Sequence, residues 1–459
     1  MTELEKLSTA SAADVGRSLA NGCLSAIDVT EHFLAAIGAH DDPNVFLTVT
    51  AERARAEAAA STERYQAGTP IGPLDGVPTV WKDLLDVADT VTTAGSDLFR
   101  DEAPADGDAE VVRNSRAAGM ITLGKVTMPE FAFSALGQNP HYGTPVNPLD
   151  DSTRRATGGS SSGTGAAVAA GLAPCGLGSD TNGSVRIPAA FCGLVGFKTT
   201  EKRISTDRTF VLSHTLDTLG PIARTVEDCA LLDAVWRGAE PQAPVPTRLT
   251  DLKIIVPDDE SSVFTDAESA VVGNFHTALE ALRSAGATVD IQPMPLFEEI
   301  RRLNEETGTL LAAESYFNLK QILDGTALDR VDPRVAERAL LGRELSVADL
   351  LTVQTERERL IAAFTHHLQG KSCVAIPTTA ISAPDWEPLE ADVSAFRMAT
   401  ALANKNTMLG SFLRTCAIAL PSGGNAIGMP TSLMLMAPGG SDEDLLSQAA
   451  ALETVLASL

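Results

Sequence analysis

Two glycine- and serine-rich turns carry most of the residues in this chain that could do chemistry together. The first reads Gly158-Gly159-Ser160-Ser161-Ser162-Gly163, the second Gly178-Ser179-Asp180-Thr181-Asn182-Gly183-Ser184. Both offer hydroxyls and backbone N–H groups, and glycine is favoured where a backbone takes φ > 0 or approaches a ligand closely. Such turns suit a site that bears a nucleophile and binds an oxyanion. In the second, Thr181-Asn182-Gly183 can aim successive N–H groups at a developing negative charge beside Ser184. Asp180 and Arg186 bracket it, and pairing them would brace it, because an unpaired buried charge is expensive. Asn182 has two readings at this point. Its amide could grip a second carbonyl or carboxylate, or asparagine merely tolerates a left-handed backbone angle. The first turn also satisfies the G-x-S-x-G nucleophile elbow, with Ser161 as nucleophile. An elbow must follow a strand, and the preceding Asp151–Ala156 is too polar to be one.

These turns need elements to hold them. A small-residue helix over Thr164–Ala170 and an apolar run over Ala173–Leu177 separate them, enough to bring the chain back to one sheet edge. Upstream, Gly76-Val77-Pro78-Thr79-Val80-Trp81-Lys82-Asp83 is a strand ending in a lysine, which viewed alone is an ordinary strand-end charge. Ser11 with Asp14, Ser25 with Asp28, and Thr225 with Asp228 read as helix N-caps. Val45–Val49 is a strand, Ala51–Gln66 a helix, and residues 109–125 a helix followed by a strand. Gly119 to Lys125 imitates a phosphate-binding loop, but Val126 replaces the required Ser or Thr. Gly193–Lys198, Ile254–Val256, Thr288–Ile291, Val374–Ile376, Ala417–Leu420 and Ser432–Met436 read as further strands. The helix Ala267–Ala285 joins Ile254–Val256 to Thr288–Ile291 as a β-α-β unit. Residues 297–370 are mostly helical and Asp442–Leu459 closes the chain as a helix. The sum is an α/β fold with a large mixed sheet flanked on both faces by helices.

In motif and order the chain resembles the amidase signature family of Ser-Ser-Lys amide hydrolases. The matching pieces are Gly158-Gly159-Ser160-Ser161, the run Gly178 to Pro188, Phe191-Cys192-Gly193, the Lys82 block, Gly95-Ser96 and Gly220-Pro221-Ile222-Ala223-Arg224. The resemblance implies that Ser184 is the nucleophile, Ser160 the bridging serine after a cis Gly159–Ser160 bond, and Lys82 the base. Ser161 would support the relay, and Thr181, Asn182 and Gly183 would hold substrate. A lysine acts as base only when neutral, so its usual pKa of about 10.4 must fall, and burial in an apolar wall does this. His141 borders the site and reads as structural or pocket-lining. The implied arrangement is a single domain over residues 1–459, with a signature core at about 72–224 and a variable pocket region at about 240–400. The implied reaction cleaves the C–N bond of a small carboxamide or urea-like compound through an acyl-enzyme on Ser184, releasing ammonia or an amine. Neither a metal nor a cofactor is expected, and a homo-oligomer, a dimer, is.

The amidase (A) subunit of glutamine-dependent tRNA amidotransferases shares the same signature and stands as the alternative. Lys198-Thr199-Thr200 stands where Lys-Pro-Thr is usual, and the departures at Thr199-Thr200-Glu201-Lys202 and at Asn182, where glycine is common, look more like stand-alone amidases or carboxybiuret-type hydrolases. Bulk properties narrow the rest. A net charge of −25 argues against a nucleic-acid surface, which needs clustered Lys and Arg. Six scattered cysteines make neither a disulfide framework nor a zinc pattern. With no apolar leader at the N-terminus and no unbroken span of membrane length, a cytoplasmic protein is expected.

Overall fold

A computed structural model describes residues 3–368 and 373–459. The last two positions of the expected helical stretch, 369 and 370, lie outside the described residues. The strands are β1 (Phe46–Val49), β2 (Pro78–Lys82), β3 (Ile121–Val126), β4 (Cys175–Asp180), β5 (Val195–Lys198), β6 (Thr218–Ala223), β7 (Lys253–Pro257), β8 (Thr288–Gln292), β9 (Cys373–Pro377), β10 (Cys416–Gly424) and β11 (Pro430–Ala437). They form one eleven-stranded sheet in the order β1-β3-β2-β4-β6-β5-β10-β11-β9-β7-β8. Parallel pairs (β2 with β3 and β4; β7 with β8 and β9) occur beside antiparallel ones, so the sheet is mixed. Helices flank it, and the fold is α/β.

The strands that carry the site are buried along their whole length. Each residue of β2, β3, β4 and β6 is buried, which is why their sequences read as continuous apolar or small runs and not as alternation. In the parallel β2–β4 pair, Val80 faces Gly176 and Trp81 faces Leu177, so Lys82 and the end of β4 emerge at one edge. The carboxyl ends of parallel strands are where α/β sheets place their ligands. The helix Ser162–Ala169, made of Ser, Gly, Thr, Ala and Val, is buried from Ser162 to Val168. Its small side chains let it lie close on the sheet. Gly178 shows how close: a Cβ there would stand 2.5 Å from Ser161 Oγ.

The expected caps at Ser11, Ser25 and Thr225 accept the backbone N–H three residues on, with a full capping box at the latter two. Ala51–Gln66 is a helix, and Ser269–Ser284 links the parallel β7 and β8. Two differences stand out. The apolar run read over Ala173–Leu177 enters a strand that begins at Cys175 and runs on to Asp180, through glycines and a serine. And β6, which includes Pro221, is a central strand where the sequence shows only the approach to a helix. Proline is ordinarily kept out of central strands.

Candidate active site

At the end of β2, the Lys82 side chain is completely buried. Its Nζ meets Ser160 Oγ at 2.6 Å and Ser179 Oγ at 2.7 Å. The peptide bond before Ser160 is cis. Burial lowers the Lys82 pKa to about 7, against the nearby negative charges of Asp217 and Asp180, which hold it up. A large share of the lysine is therefore neutral near physiological pH, as a base requires.

Ser184 sits one turn beyond the end of β4 and lines a small cavity with Thr181, Asn182, Phe133, Leu212 and Arg338. It is 9% exposed, whereas Ser160 and Ser161 are fully buried. The Ser161 N–H donates to the Ser184 carbonyl at 3.2 Å, which fixes one turn against the other. Asp180 and Arg186 form a fully buried pair at 2.8 Å. The Asp180 carboxylate also accepts the N–H of Gly183 at 2.7 Å and of Val185 at 3.2 Å, and Arg186 reaches on to the Thr407 carbonyl and Ser411 Oγ. The pair wraps the turn as a brace. Gly183 has φ +129, and a Cβ there would meet Thr407 Oγ1 at 2.2 Å, so only glycine fits.

Comparison with known proteins adds a family to this geometry. The family model described as Amidase matches residues 28–446. The chain belongs to the amidase family. It is 34% identical to the 2-amino-5-chloromuconic acid deaminase of Comamonas testosteroni over 90% of this chain and 88% of that one. It is 33% identical to the A subunit of the glutamyl-tRNA(Gln) amidotransferase of Salinispora tropica over 98% of both. A solved amidase structure superposes with a TM-score of 0.86 at 30% identity, covering 97% of this chain and 100% of that one. The chain is accordingly an amidase-family hydrolase acting on carbon–nitrogen bonds.

The site residues of this amidase differ in whether they reach the cavity. Ser161 does not line the cavity: its Oγ accepts the Ser179 N–H at 3.2 Å and reaches the Ser179 carbonyl at 3.4 Å, stitching the helix start to β4. The segment before it makes only isolated bridges, Val146 to Ala156 and Arg155 to Asp385, so the strand an elbow needs is missing. Gly183 spends its N–H on Asp180, which leaves Thr181 and Asn182, with Ser184, as the residues of the turn that face the cavity. The φ of Asn182 is not positive, so tolerance of a left-handed angle does not explain this asparagine. Lys125, the false phosphate-loop lysine, is buried against Asp83 at 2.6 Å. His141 Nε2 lies 3.1 Å from the buried Glu130 Oε1, out of line for a hydrogen bond but close enough to pair when charged.

Three residues of the site escape sequence reasoning. Ser179 lies inside the second motif, where the resemblance gives roles only to its neighbours. Asp217 accepts Thr181 Oγ1 at 2.7 Å and the N–H groups of Leu212 and Ser213 at 2.9 and 3.0 Å, and burial raises its pKa to about 6. It stands three residues before the Gly220-Pro221 match, and that proximity is the available signal. Arg338 belongs to the variable region and no local pattern marks it. Among the described residues, no helix is long and apolar enough to cross a membrane.

Proposed function

We propose that this amidase hydrolyses the C–N bond of a small carboxamide or urea-like compound through an acyl-enzyme on Ser184. In this reading Ser184 Oγ attacks the carbonyl carbon while its proton passes to Ser160 and the proton of Ser160 passes to neutral Lys82. The Thr181–Asn182 backbone faces the oxyanion. Collapse of the tetrahedral intermediate breaks the C–N bond, and the proton held by Lys82 returns through Ser160 to the leaving nitrogen. Ammonia or an amine departs. Water, deprotonated along the same path, then cleaves the ester and frees the acid and Ser184. The observation that carries the reading is the 2.6 Å contact between a buried Lys82 Nζ, its pKa brought down to about 7, and Ser160 Oγ, next to a cavity that Ser184 lines. Burying a lysine between two hydroxyls is costly, and a role in proton transfer supports keeping it there.

Full-length likeness to the A subunit of an amidotransferase supports a second reading, in which the chain supplies ammonia to a partner enzyme. Thr200, in the segment that departs from the usual pattern, donates to Asp442 through its N–H at 2.8 Å, and Glu201 pairs with Arg414 at 2.9 Å. The sequence departures at Thr199-Thr200-Glu201-Lys202 and at Asn182 support the stand-alone form. Ammonia release from a panel of small amides, ureas and glutamine, using the purified chain without tRNA or ATP, separates the two. Turnover of a small amide by the chain alone is expected. Release that begins only when a transferase partner is added would establish the second reading instead.

A further inference from the structure

One backbone carbonyl of the turn before Ser184 is gripped from far along the chain. Thr407, the first residue of the helix Thr407–Phe412, is fully buried, and its Oγ1 donates to the Asn182 carbonyl at 2.7 Å, 225 positions away in sequence. The N–H of the same peptide unit belongs to Gly183 and donates to Asp180 at 2.7 Å. A trans peptide is planar with its C=O and N–H pointing opposite ways, so these two bonds fix the plane of the unit from both sides. On one side of it stands the N–H of Asn182, which among the described residues donates to no protein group, and on the other stands Ser184. Rotation of the plane would swing both. A buried hydroxyl needs a partner, but the Asn404 carbonyl, one helical turn back at 3.0 Å, would already serve as one. Thr407 is itself held: Arg186 Nη1 donates to its carbonyl at 2.9 Å, and Asn406 Nδ2 donates to the Pro377 carbonyl at 2.9 Å. At the far end of the helix the buried Arg357 donates through Nε to the Phe412 carbonyl at 2.8 Å.

We propose that Thr407 is a positioning residue for the reaction: its hydroxyl sets the Asn182–Gly183 peptide so that the Asn182 N–H stays aimed at the developing oxyanion and Ser184 Oγ at the carbonyl carbon. Thr407 touches no reacting atom and acts through that one peptide unit. Glycine is the loosest link in a backbone, so a plane that ends on Gly183 needs an outside hold to keep one orientation. Donors fixed in advance lower a barrier only while they stay aimed, and a small misplacement costs rate more than binding. The effect of the hydroxyl therefore belongs in kcat. The proposal rests on the hydrolase reading above and adds to it a residue outside every motif of the sequence.

The test pairs Thr407→Val, which keeps the shape and removes the donor, with Thr407→Ser, which keeps the donor. Two reactions are followed: turnover of whichever small amide of the panel the wild type cleaves fastest, and sulfonylation of Ser184 by methanesulfonyl fluoride, read by intact mass. Thr407→Val is expected to lose about tenfold or more in kcat and in the sulfonylation rate, with KM changed less than about threefold. Thr407→Ser should stay within about threefold of the wild type throughout. A wild-type kcat in Thr407→Val, a loss confined to KM, or an equal loss in Thr407→Ser overturns the proposal. Should Thr407→Val lose the wild-type melting transition, Thr407→Ala takes its place under the same criteria. If the wild type reacts at Ser184 but cleaves no amide of the panel, the small-amide reading fails and the sulfonylation rates decide the role of Thr407 alone. A wild type that does neither fails the hydrolase reading itself, and the proposal falls with it.

Discussion

At the residue scale the proposed relay turns on the charge state of Lys82. Its pKa is brought below that of an ordinary lysine, to about 7, by burial, and is held up by Asp217 and Asp180. The neutral form grows as pH rises, so kcat/KM for a neutral amide should climb through about pH 7 and then level off. A profile flat between pH 6 and 8 would remove Lys82 from the base role. Asp217 offers a sharper version. Asp217→Asn keeps an acceptor for Thr181 Oγ1 but removes the negative charge that favours the ammonium form. With that charge gone, Lys82 loses its proton more easily, and the rising limb should move to lower pH. A purely structural Asp217 would lower the rate without moving the limb. The residues of the relay are legible in the sequence because motif and order mark them. Asp217 and Arg338 are not, because their part in the site comes from distance in space, 36 residues from Thr181 in one case and beyond any motif in the other.

At the scale of elements, the site is the meeting of β2, β4 and the helix Ser162–Ala169, locked by the Asp180–Arg186 pair. Replacing Arg186 with Leu leaves Asp180 buried and unpaired, and losing one partner of such a pair typically costs about 3–5 kcal/mol. Urea unfolding of Arg186→Leu should show a loss of that size, and activity should fall with it because Gly183 and Val185 hang on the same carboxylate. A change under about 1 kcal/mol would mean that the pair is not the brace described. Caps, long helices and the β7–β8 crossover are readable from local chemistry, since a serine three residues before an aspartate states its role within one turn of helix. The edges of β4 and the existence of β6 are not. Glycines, a serine and a proline are poor strand formers, and they are strands here because neighbours on both sides pair with them.

Over the whole molecule, one sheet collects strands from Phe46 to Ala437, and β7, β8 and β9 of the variable region extend the same sheet that carries the relay. The main apolar cluster runs from Leu7 to Leu456. We propose on this ground that the chain is a single domain, and unfolding followed by far-UV circular dichroism and by tryptophan fluorescence should give coincident transitions; two separated transitions would divide it. The mixed α/β architecture is legible from the succession of strand and helix patterns, but the order of strands is not, since long-range pairing leaves no mark in local sequence. The central claim is that this chain, acting alone, acylates Ser184. The most direct measurement is intact-protein mass spectrometry of the purified chain quenched during turnover of a slowly hydrolysed amide, followed by peptide mapping. The account predicts a single acyl adduct on the peptide containing Ser184, absent from Ser184→Ala and Lys82→Ala. An adduct on Ser161 or on a cysteine, or ammonia release that persists in Ser184→Ala, would contradict it.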